Sequence, residues 1–290
     1  MKPPPFDYLA PETLAEALEA ARQAGSDAKF LAGGQSLVPA MNFRITQPAL
    51  LIDLNRIPDL DYIRREDGTG LRLGAMARQR RLELDPLVVA EAPLLAEAVP
   101  FIAHPQIRNR GTLGGSLAHA DPASELPVVA LALDARLRVV SSVGERWIAA
   151  KDFFQGMFTT ALAPEEMLVE VALPPMPQGA GFAFLEFSRR RGDYALMGVA
   201  AILRLDEAGA CAEARLVFLN AGDGPLAAPE AASMLAGRKI DARSAEAAAS
   251  HAAEKEIEPL GNLHATPTFQ RHLAKVLGRR AILAAAQRAG

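Results

Sequence analysis

The sequence predicts an α+β protein of two consecutive domains, and three features of the residue pattern support this fold class. Short strand-like runs alternate irregularly with helical segments before residue 174. The breaker cluster Pro174-Pro175-Met176-Pro177-Gln178-Gly179 then interrupts the pattern. Beyond it the chain changes to longer alternating strands and alanine-rich helices. We therefore expect a first domain over residues 1–177, with subdomains of about 1–55 and 56–177, and a second domain over residues 178–290.

The first subdomain is expected to contain a helix and two strands. Thr13-Leu14-Ala15-Glu16 matches a capping box, and apolar residues at helical spacing follow it until Gly25. Strands are predicted at 29–32 and near 50–54. Together these elements predict a small βαβ-like opening unit.

The second subdomain is predicted to mix strands with helices. The strands are expected at 71–73, 137–140 and 168–173, and the helices at about 86–98 and 123–133. This order favours an α+β arrangement over a regular doubly wound sheet.

The C-terminal domain is predicted to be an antiparallel sheet with packed helices. Residues 182–187 alternate in strand fashion, and the runs 195–205 and 212–219 flank a turn at 206–209. Helical spacing of apolar residues recurs at 231–235, 242–253 and 269–286. We expect these helices to pack on one face of the sheet.

Charge and hydropathy narrow the function classes. The formal net charge is −3, whereas nucleic-acid and anionic membrane surfaces favour a strong basic bias. No apolar run approaches the ~20 residues that a membrane helix needs, and residues 1–5 lack the apolar stretch of a signal peptide. We therefore expect a cytoplasmic globular protein with small-molecule or protein partners, no nucleic acid and no membrane span.

The cysteine and histidine content limits metal chemistry. Cys211 is the single cysteine, and a [2Fe–2S] cluster normally needs four thiolates, so the chain alone cannot hold one. Cys211 itself is expected to be a small buried apolar residue. The five histidines are scattered without metal-ligand spacing, and we predict no metal site.

Two segments place paired glycines before a hydroxyl: Ala32-Gly33-Gly34-Gln35-Ser36, and Arg110-Gly111-Thr112-Leu113-Gly114-Gly115-Ser116. Glycine lets the backbone approach a ligand closely, so that consecutive amides and the hydroxyl can hold an anion such as a pyrophosphate. The alternative is that each pair only forms a tight turn. Neither segment matches a Rossmann fingerprint or a P-loop, which disfavours an NAD site and an ATPase.

Further residues near the second segment leave two interpretations open. Asp121 is expected either to cap a helix starting near Pro122 or to combine capping with a hydrogen bond to a sugar-like hydroxyl. No Ser-His-Asp arrangement is recognisable, because Ser36, Ser116 and Ser124 lie outside any G-x-S-x-G elbow. A hydrolase is therefore disfavoured.

The two glycine segments resemble the paired FAD-binding motifs of the medium (flavoprotein) subunits of the molybdenum hydroxylases, the carbon monoxide dehydrogenase and xanthine dehydrogenase family. The resemblance covers essentially the whole chain. Its other landmarks are Phe6-Asp7-Tyr8, Leu51-Ile52-Asp53-Leu54, Ile107-Arg108-Asn109-Arg110-Gly111, residues 188–195, His272-Leu273 and Arg279-Arg280-Ala281. It implies a vanillyl-alcohol-oxidase-like (PCMH-type) FAD-binding domain followed by a C-terminal flavoprotein domain.

The resemblance also implies a set of cofactor-binding residues. Those implied to form or border the pyrophosphate site are Lys29, Ala32, Gly33, Gly34, Gln35, Ser36, Leu37, Gly111, Thr112, Gly115 and Ser116. Ile102 and Leu168 are implied to flank the adenine. Asp121 should hydrogen-bond a hydroxyl on the flavin side, and Tyr194 should lie near the isoalloxazine ring. No catalytic residue and no metal ligand are implied.

The function implied is electron transfer through non-covalent FAD. An iron–sulfur small subunit would deliver electrons, a large subunit would carry the molybdenum cofactor, and an external acceptor would receive the electrons. The alternatives are a self-contained FAD-dependent oxidase or reductase of the same fold, and a flavin-free assembly or scaffold protein. Intact glycine segments argue against the scaffold.

Two runs of arginine could form surfaces of the protein, and two positions differ from the family pattern. Residues 78–81 are expected to be a solvated face, whereas Arg189-Arg190-Arg191 has an interface or flavin-proximal role as an equal alternative. Phe269-Gln270 replaces a tyrosine–arginine pair frequent in the family, and residues 220–224 replace a more glycine-rich turn. Both departures lie in the C-terminal domain and leave the glycine segments intact.

Overall fold

The computed structural model describes residues 2–66, 68 and 70–290, and in these residues β-strands and α-helices alternate irregularly. The strands are β1 (Asp7–Leu9), β2 (Ala28–Leu31), β3 (Leu50–Asp53), β4 (Ile63–Glu66), β5 (Gly70–Gly74), β6 (Arg136–Ser141), β7 (Gly144–Ala149), β8 (Phe154–Gly156), β9 (Thr159–Thr160), β10 (Met167–Leu173), β11 (Gly181–Ser188), β12 (Ala195–Leu205), β13 (Cys211–Leu219) and β14 (Leu226–Ala227). The helices are α1 (Leu14–Ala24), α2 (Leu37–Asn42), α3 (Gln79–Leu84), α4 (Pro86–Glu91), α5 (Pro93–Ala98), α6 (Pro105–Arg108), α7 (Leu113–His119), α8 (Glu125–Ala132), α9 (Ala150–Phe153), α10 (Pro229–Ser233), α11 (Ala242–His251) and α12 (Pro267–Arg288).

The opening unit is a three-stranded parallel sheet in the order β1-β3-β2. Helix α1 begins as predicted, because the Thr13 hydroxyl accepts a hydrogen bond from the backbone N–H of Glu16 at 3.2 Å. Its apolar face buries Ala17, Leu18 and Ala21. The predicted βαβ-like unit is therefore confirmed, with β1 as an additional edge strand.

The second sheet has five antiparallel strands in the order β4-β5-β10-β6-β7 and contains all three strands predicted for this part of the chain. The single helix expected at about 86–98 is wrong, because the chain forms α4 and α5 with a break at Ala92. Pro93 causes the break, since proline lacks the N–H that a continuing helix would need. It is instead the first residue of α5, where that N–H is not required.

The C-terminal sheet is antiparallel in the order β11-β12-β13-β14. Its central strand β12 is buried on both faces. Ala200 and Ile202 pack into a core shared with α5 and α8, while Val199, Ala201 and Leu203 pack into a core shared with α11 and α12. The prediction of helices on one face is thus confirmed for α11 and α12, and the opposite face packs against the preceding part of the chain.

Within the described ranges, every helix is too short or too polar to cross a membrane.

Candidate functional site

The first glycine segment is a loop between β2 and α2 whose backbone donors are free. Among the described residues, none accepts a hydrogen bond from the N–H groups of residues 33–37. Gly34 has φ +73°, a conformation that favours glycine. The side-chain amide of Gln35 donates to the Gly33 carbonyl at 3.0 Å and braces the loop. The hydroxyl of Ser36 also has no partner within the described part of the chain, so this loop offers donors to a ligand.

In the second glycine segment the glycine pair lies in a helix and not in a tight turn. Gly114, Gly115 and Ser116 lie in the first turns of α7, and Thr112 caps that helix by accepting from the Gly115 N–H at 3.1 Å. The N–H of Gly114 donates to Ala75 O at 2.8 Å, and that of Ser116 donates to Thr112 O at 3.2 Å. These amides are therefore occupied, and a ligand contact from Gly115 or Ser116 would have to use other atoms.

The two glycine segments touch each other. A Cβ placed on Gly33 would lie 2.4 Å from the carbonyl oxygen of Arg110 and 2.8 Å from Cα of Gly111. A Cβ on Gly115 would lie 3.3 Å from Cβ of Ala32. Glycine is thus required at position 33 because the second segment packs against it. The sequence-based reason, that the backbone of this loop must approach a ligand closely, stays a prediction.

Two residues that sequence reasoning missed, Asn55 and Arg78, join these segments. The Arg78 guanidinium donates to the carbonyl of Arg110 and to the side-chain oxygen of Asn55. Asn55 in turn donates to the carbonyl of Ala32 at 2.9 Å. The expectation of a solvated face is therefore wrong for Arg78, which is half-buried. A signal existed for Asn55, since it follows a strand whose carboxyl end adjoins the first loop.

Asp121 lies in a turn rather than at a helix cap. Its side chain accepts from the N–H of Ala123 at 2.9 Å, whereas α8 begins only at Glu125, after Ser124. The expected capping of a helix at Pro122 is therefore wrong. In the described residues no donor reaches the other carboxylate oxygen of Asp121, which leaves it available to a ligand hydroxyl.

The fold brings Tyr194, which directly precedes β12, near Asp121, which lies in the turn between α7 and α8. Desolvation and the negative charges of Asp121 and Glu125 raise the pKa of Tyr194, although the residue is 74% exposed. Asn220 holds the two segments together. Its N–H donates to Pro122 O at 2.7 Å, and its side-chain amide donates to Ala195 O at 2.8 Å.

A pair of carboxyl groups, Glu125 and Glu186, lies near Asp121. Burial is the main cause that raises the pKa of Glu125 to about 7 and that of Glu186 to about 9, and each group also interacts with the other. Oε2 of Glu186 is buried and has no partner among the described residues. A proton shared by the two carboxyl groups would supply the missing donor.

The remaining predicted residues lie around the first loop or in the core. Lys29 is exposed on β2, and Leu37 is the first residue of α2. Ile102 and Leu168 are largely covered by protein, with exposed fractions of 9% and 5%. Their contact with adenine stays a prediction, as do the ligand contacts of the other site residues.

Comparison with known proteins identifies the family to which the chain belongs. The family model described as the FAD binding domain in molybdopterin dehydrogenase matches residues 4–176, and the one described as the CO dehydrogenase flavoprotein C-terminal domain matches residues 182–285. The free amides of the first loop are of the kind that a pyrophosphate requires. FAD is therefore the cofactor that both the fold and the donor set fit.

Relatives match over nearly their full length. The chain is 44% identical to the 6-hydroxypseudooxynicotine dehydrogenase complex subunit alpha of Paenarthrobacter nicotinovorans, covering 100% of this chain and 97% of that one. It is 39% identical to the carbon monoxide dehydrogenase medium chain of Hydrogenophaga pseudoflava, covering 98% of each.

Two solved structures show the same fold. The carbon monoxide dehydrogenase of Hydrogenophaga pseudoflava matches with a TM-score of 0.96 at 39% identity, covering 100% of both chains. The quinoline 2-oxidoreductase of Pseudomonas putida 86 matches with a TM-score of 0.94 at 39% identity, covering 99% of each. The predicted fold class and family are confirmed. The chain therefore belongs to the FAD-binding medium subunits of the molybdenum hydroxylases, the oxidoreductase family of carbon monoxide dehydrogenase and xanthine dehydrogenase.

Proposed function

We propose that this chain is the electron-transfer flavoprotein of a multi-subunit molybdenum hydroxylase. It binds FAD without a covalent bond, receives electrons from [2Fe–2S] clusters on a small partner subunit, and passes them to an external acceptor. A large partner subunit holds the molybdenum cofactor. The names of three relatives, a complex subunit alpha, a medium chain and a medium subunit, support membership of a larger assembly.

The proposal rests on the N–H groups of residues 33–37, for which no described residue supplies an acceptor. FAD supplies the redox chemistry, and the protein supplies its binding and orientation. A run of unbonded amides provides hydrogen-bond donors for pyrophosphate oxygens without requiring a basic side chain. The hydroxyl of Ser36 adds a further donor at the same loop. The Thr112 N–H is likewise without an acceptor among the described residues and lies on the adjoining segment.

Asp121 and Tyr194 are proposed to hold the flavin end. The carboxylate oxygen of Asp121 that accepts no hydrogen bond from any described residue suits a ribityl hydroxyl. The exposed ring of Tyr194 offers an aromatic surface beside it. Because Asn220 ties both segments together, their relative position is set before any ligand binds.

The single cysteine of the chain indicates that the electrons come from another polypeptide. Cys211 is 1% exposed, and its thiol contacts the Glu213 carbonyl at 3.4 Å, which confirms the expectation of a buried apolar role. Burial also raises the pKa of the Cys211 thiol, which disfavours the thiolate that iron requires. Since one cysteine cannot hold a four-thiolate cluster, we infer that the clusters reside on another polypeptide.

The docking surface is proposed near Tyr194. Arg190 and Arg191 are exposed, and no described residue pairs with either guanidinium. Arg189 differs, because it pairs with Asp193 at 3.2 Å. Aromatic and arginine side chains are favoured in protein interfaces. We further infer that the domain boundary lies in residues 174–179, which join β10 to β11.

The experiment that tests the proposal is purification of the native complex with flavin, iron and molybdenum analysis of each separated subunit. We expect FAD on this chain alone, and all of it released into the supernatant on acid precipitation. Flavin that remains with the precipitated polypeptide would contradict non-covalent binding. A complex without flavin bands would contradict the cofactor role and favour the scaffold alternative.

A further inference from the structure

A single hydrogen-bonded bridge spans the two glycine segments. Arg78 lies directly before α3, and its Nη1 donates to the carbonyl of Arg110 in the second segment. Its Nη2 donates to Oδ1 of Asn55. Nδ2 of Asn55 donates to the carbonyl of Ala32 at the start of the first loop. The two segments are therefore linked through two side chains in addition to their own packing.

The Asn55 end of this bridge is anchored to the parallel sheet. The N–H of Asn55 donates to Oδ1 of Asp53 at 2.9 Å, and its side-chain amide contacts the same carboxylate oxygen. The other oxygen of Asp53 accepts from the hydroxyl of Tyr8 at 2.5 Å. Asp53 and Tyr8 lie on adjacent strands β3 and β1. The amide of Asn55 is thus held in one orientation, with its oxygen toward Arg78 and its nitrogen toward Ala32.

We propose that Arg78 is a positioning residue that fixes the spacing of the two glycine segments, and thereby shapes the pyrophosphate site. This inference rests on the FAD site proposed above. Arginine suits the role because its planar guanidinium presents several N–H donors in a fixed fork, so that one side chain reaches two acceptors at once. A lysine ammonium is a point charge on a flexible stem and cannot reproduce this geometry.

The neighbouring arginines make contacts of another kind. Arg81 pairs with Asp61 at 3.2 Å and with Asp85 at 3.7 Å, and Arg80 pairs with Glu83 at 2.8 Å. Among the described residues, the side chains of Arg80 and Arg81 make no hydrogen bond to either glycine segment, so the bridge belongs to Arg78 within this run. Arg81→Met is therefore a matched control, since it removes a nearby arginine without removing a link between the segments.

The test measures the dissociation constant of FAD for the full chain in its complex, after removal of FAD and titration back. We expect Arg78→Met to weaken FAD binding roughly 10- to 100-fold, and Arg78→Lys to restore little of the loss. Arg81→Met should keep the wild-type constant.

Asn55→Ala tests the bridge from its other end and is used if Arg78→Met does not fold. We expect Asn55→Ala to weaken FAD binding. The double variant Asn55→Ala/Arg78→Met should bind FAD almost as well as Arg78→Met alone, because both changes break the same bridge. Full additivity of the two losses would overturn the proposal. So would recovery of wild-type affinity in Arg78→Lys, which would assign Arg78 a purely electrostatic role.

A variant in the first glycine loop distinguishes failure of this inference from failure of the FAD site itself. Ser36→Ala removes a hydroxyl that has no partner among the described residues and leaves the bridge intact. If Ser36→Ala weakens FAD binding while Arg78→Met does not, the positioning role of Arg78 is refuted and the assignment of the first loop to FAD is supported. If neither variant changes the dissociation constant of FAD, the first loop does not bind FAD as proposed, and the positioning role of Arg78 is refuted as well.

Discussion

Glu125, the first residue of α8, and Glu186, in β11, bring two carboxyl groups together where the C-terminal sheet packs against α8. Desolvation raises the pKa of both groups, the negative charge of Asp121 raises that of Glu125 further, and Arg108 acts against the rise. The folded protein therefore retains a proton that the unfolded chain, with glutamate pKa values of about 4.3, would release.

Because of the Glu125–Glu186 pair, we expect the free energy of unfolding to fall as pH rises. Groups with a raised pKa in the folded state contribute fully below the unfolded pKa, and their contribution is lost as pH rises through about 7 and about 9. We expect Glu186→Gln to be as stable as the wild type at pH 5 and more stable at pH 9, by at least the ~1.4 kcal/mol that one unit of pKa represents. Urea unfolding at both pH values measures this.

Glu145→Gln, on the exposed edge of β7, is the control and should leave the pH profile unchanged. Equal pH profiles for Glu186→Gln and the wild type would show that the pair does not hold a proton.

A second prediction concerns the cap of α7. Thr112→Ala removes the acceptor of the Gly115 N–H and should lower the free energy of unfolding by about 1 kcal/mol. Because Thr112 also adjoins the first loop, we expect a lower FAD content as well. Thr266→Ala removes an equivalent cap from α12, far along the chain, and should lower stability similarly while keeping full FAD content. Equal FAD content in both variants would remove Thr112 from the site.

The glycine segments show what the sequence could and could not predict. The position of the first loop was predictable, because adjacent glycines directly follow a strand. Helix α7 was not, because Gly114 and Gly115 have low helix propensity. Tertiary bonds from Leu113 and Gly114 to the carbonyls of Ala77 and Ala75 determine the conformation instead.

Contacts between distant parts of the chain were the least predictable. Nothing in the local pattern links Arg78 to Asn55, since their pairing depends on how α3 is placed against β3. Glu186 did carry a signal, because it alternates in register with Phe182 and Phe184 on a strand whose interior face is apolar. A carboxyl group at such a position indicates burial, but its partner Glu125 could be found only in the folded structure.

A third prediction tests Gly34 as the one positive-φ residue of the first loop. Gly34→Ala should lose FAD affinity, because φ +73° is strained for alanine and the new methyl would lie 3.3 Å from the side chains of Leu31 and Val38. We expect a destabilisation of about 1 kcal/mol. Gly237→Ala, at φ +71° with open space around it, carries the same strain away from the site and should keep its FAD. Loss of flavin from both variants would point to general instability.

A fourth prediction concerns the proposed docking surface. Reversing charge with Arg190→Glu and Arg191→Glu should weaken docking of the iron–sulfur subunit and so slow flavin reduction in a salt-dependent way, because rim charges mainly affect the rate and salt dependence of association. FAD content should remain normal. Arg243→Glu, at an exposed position of α11, is the control. Stopped-flow reduction at two salt concentrations gives the comparison, and wild-type rates in the double variant would exclude this surface.

The central claim is that this chain carries electrons that another polypeptide delivers. The most direct measurement is anaerobic stopped-flow absorbance of the flavin, after mixing the FAD-loaded isolated chain, or the complete complex, with the substrate that the complex oxidises. We predict that the flavin of the isolated chain stays oxidised, whereas that of the complex bleaches within the turnover time. Bleaching of the isolated chain by substrate at the rate of the complex would contradict the account and establish a self-contained flavin enzyme.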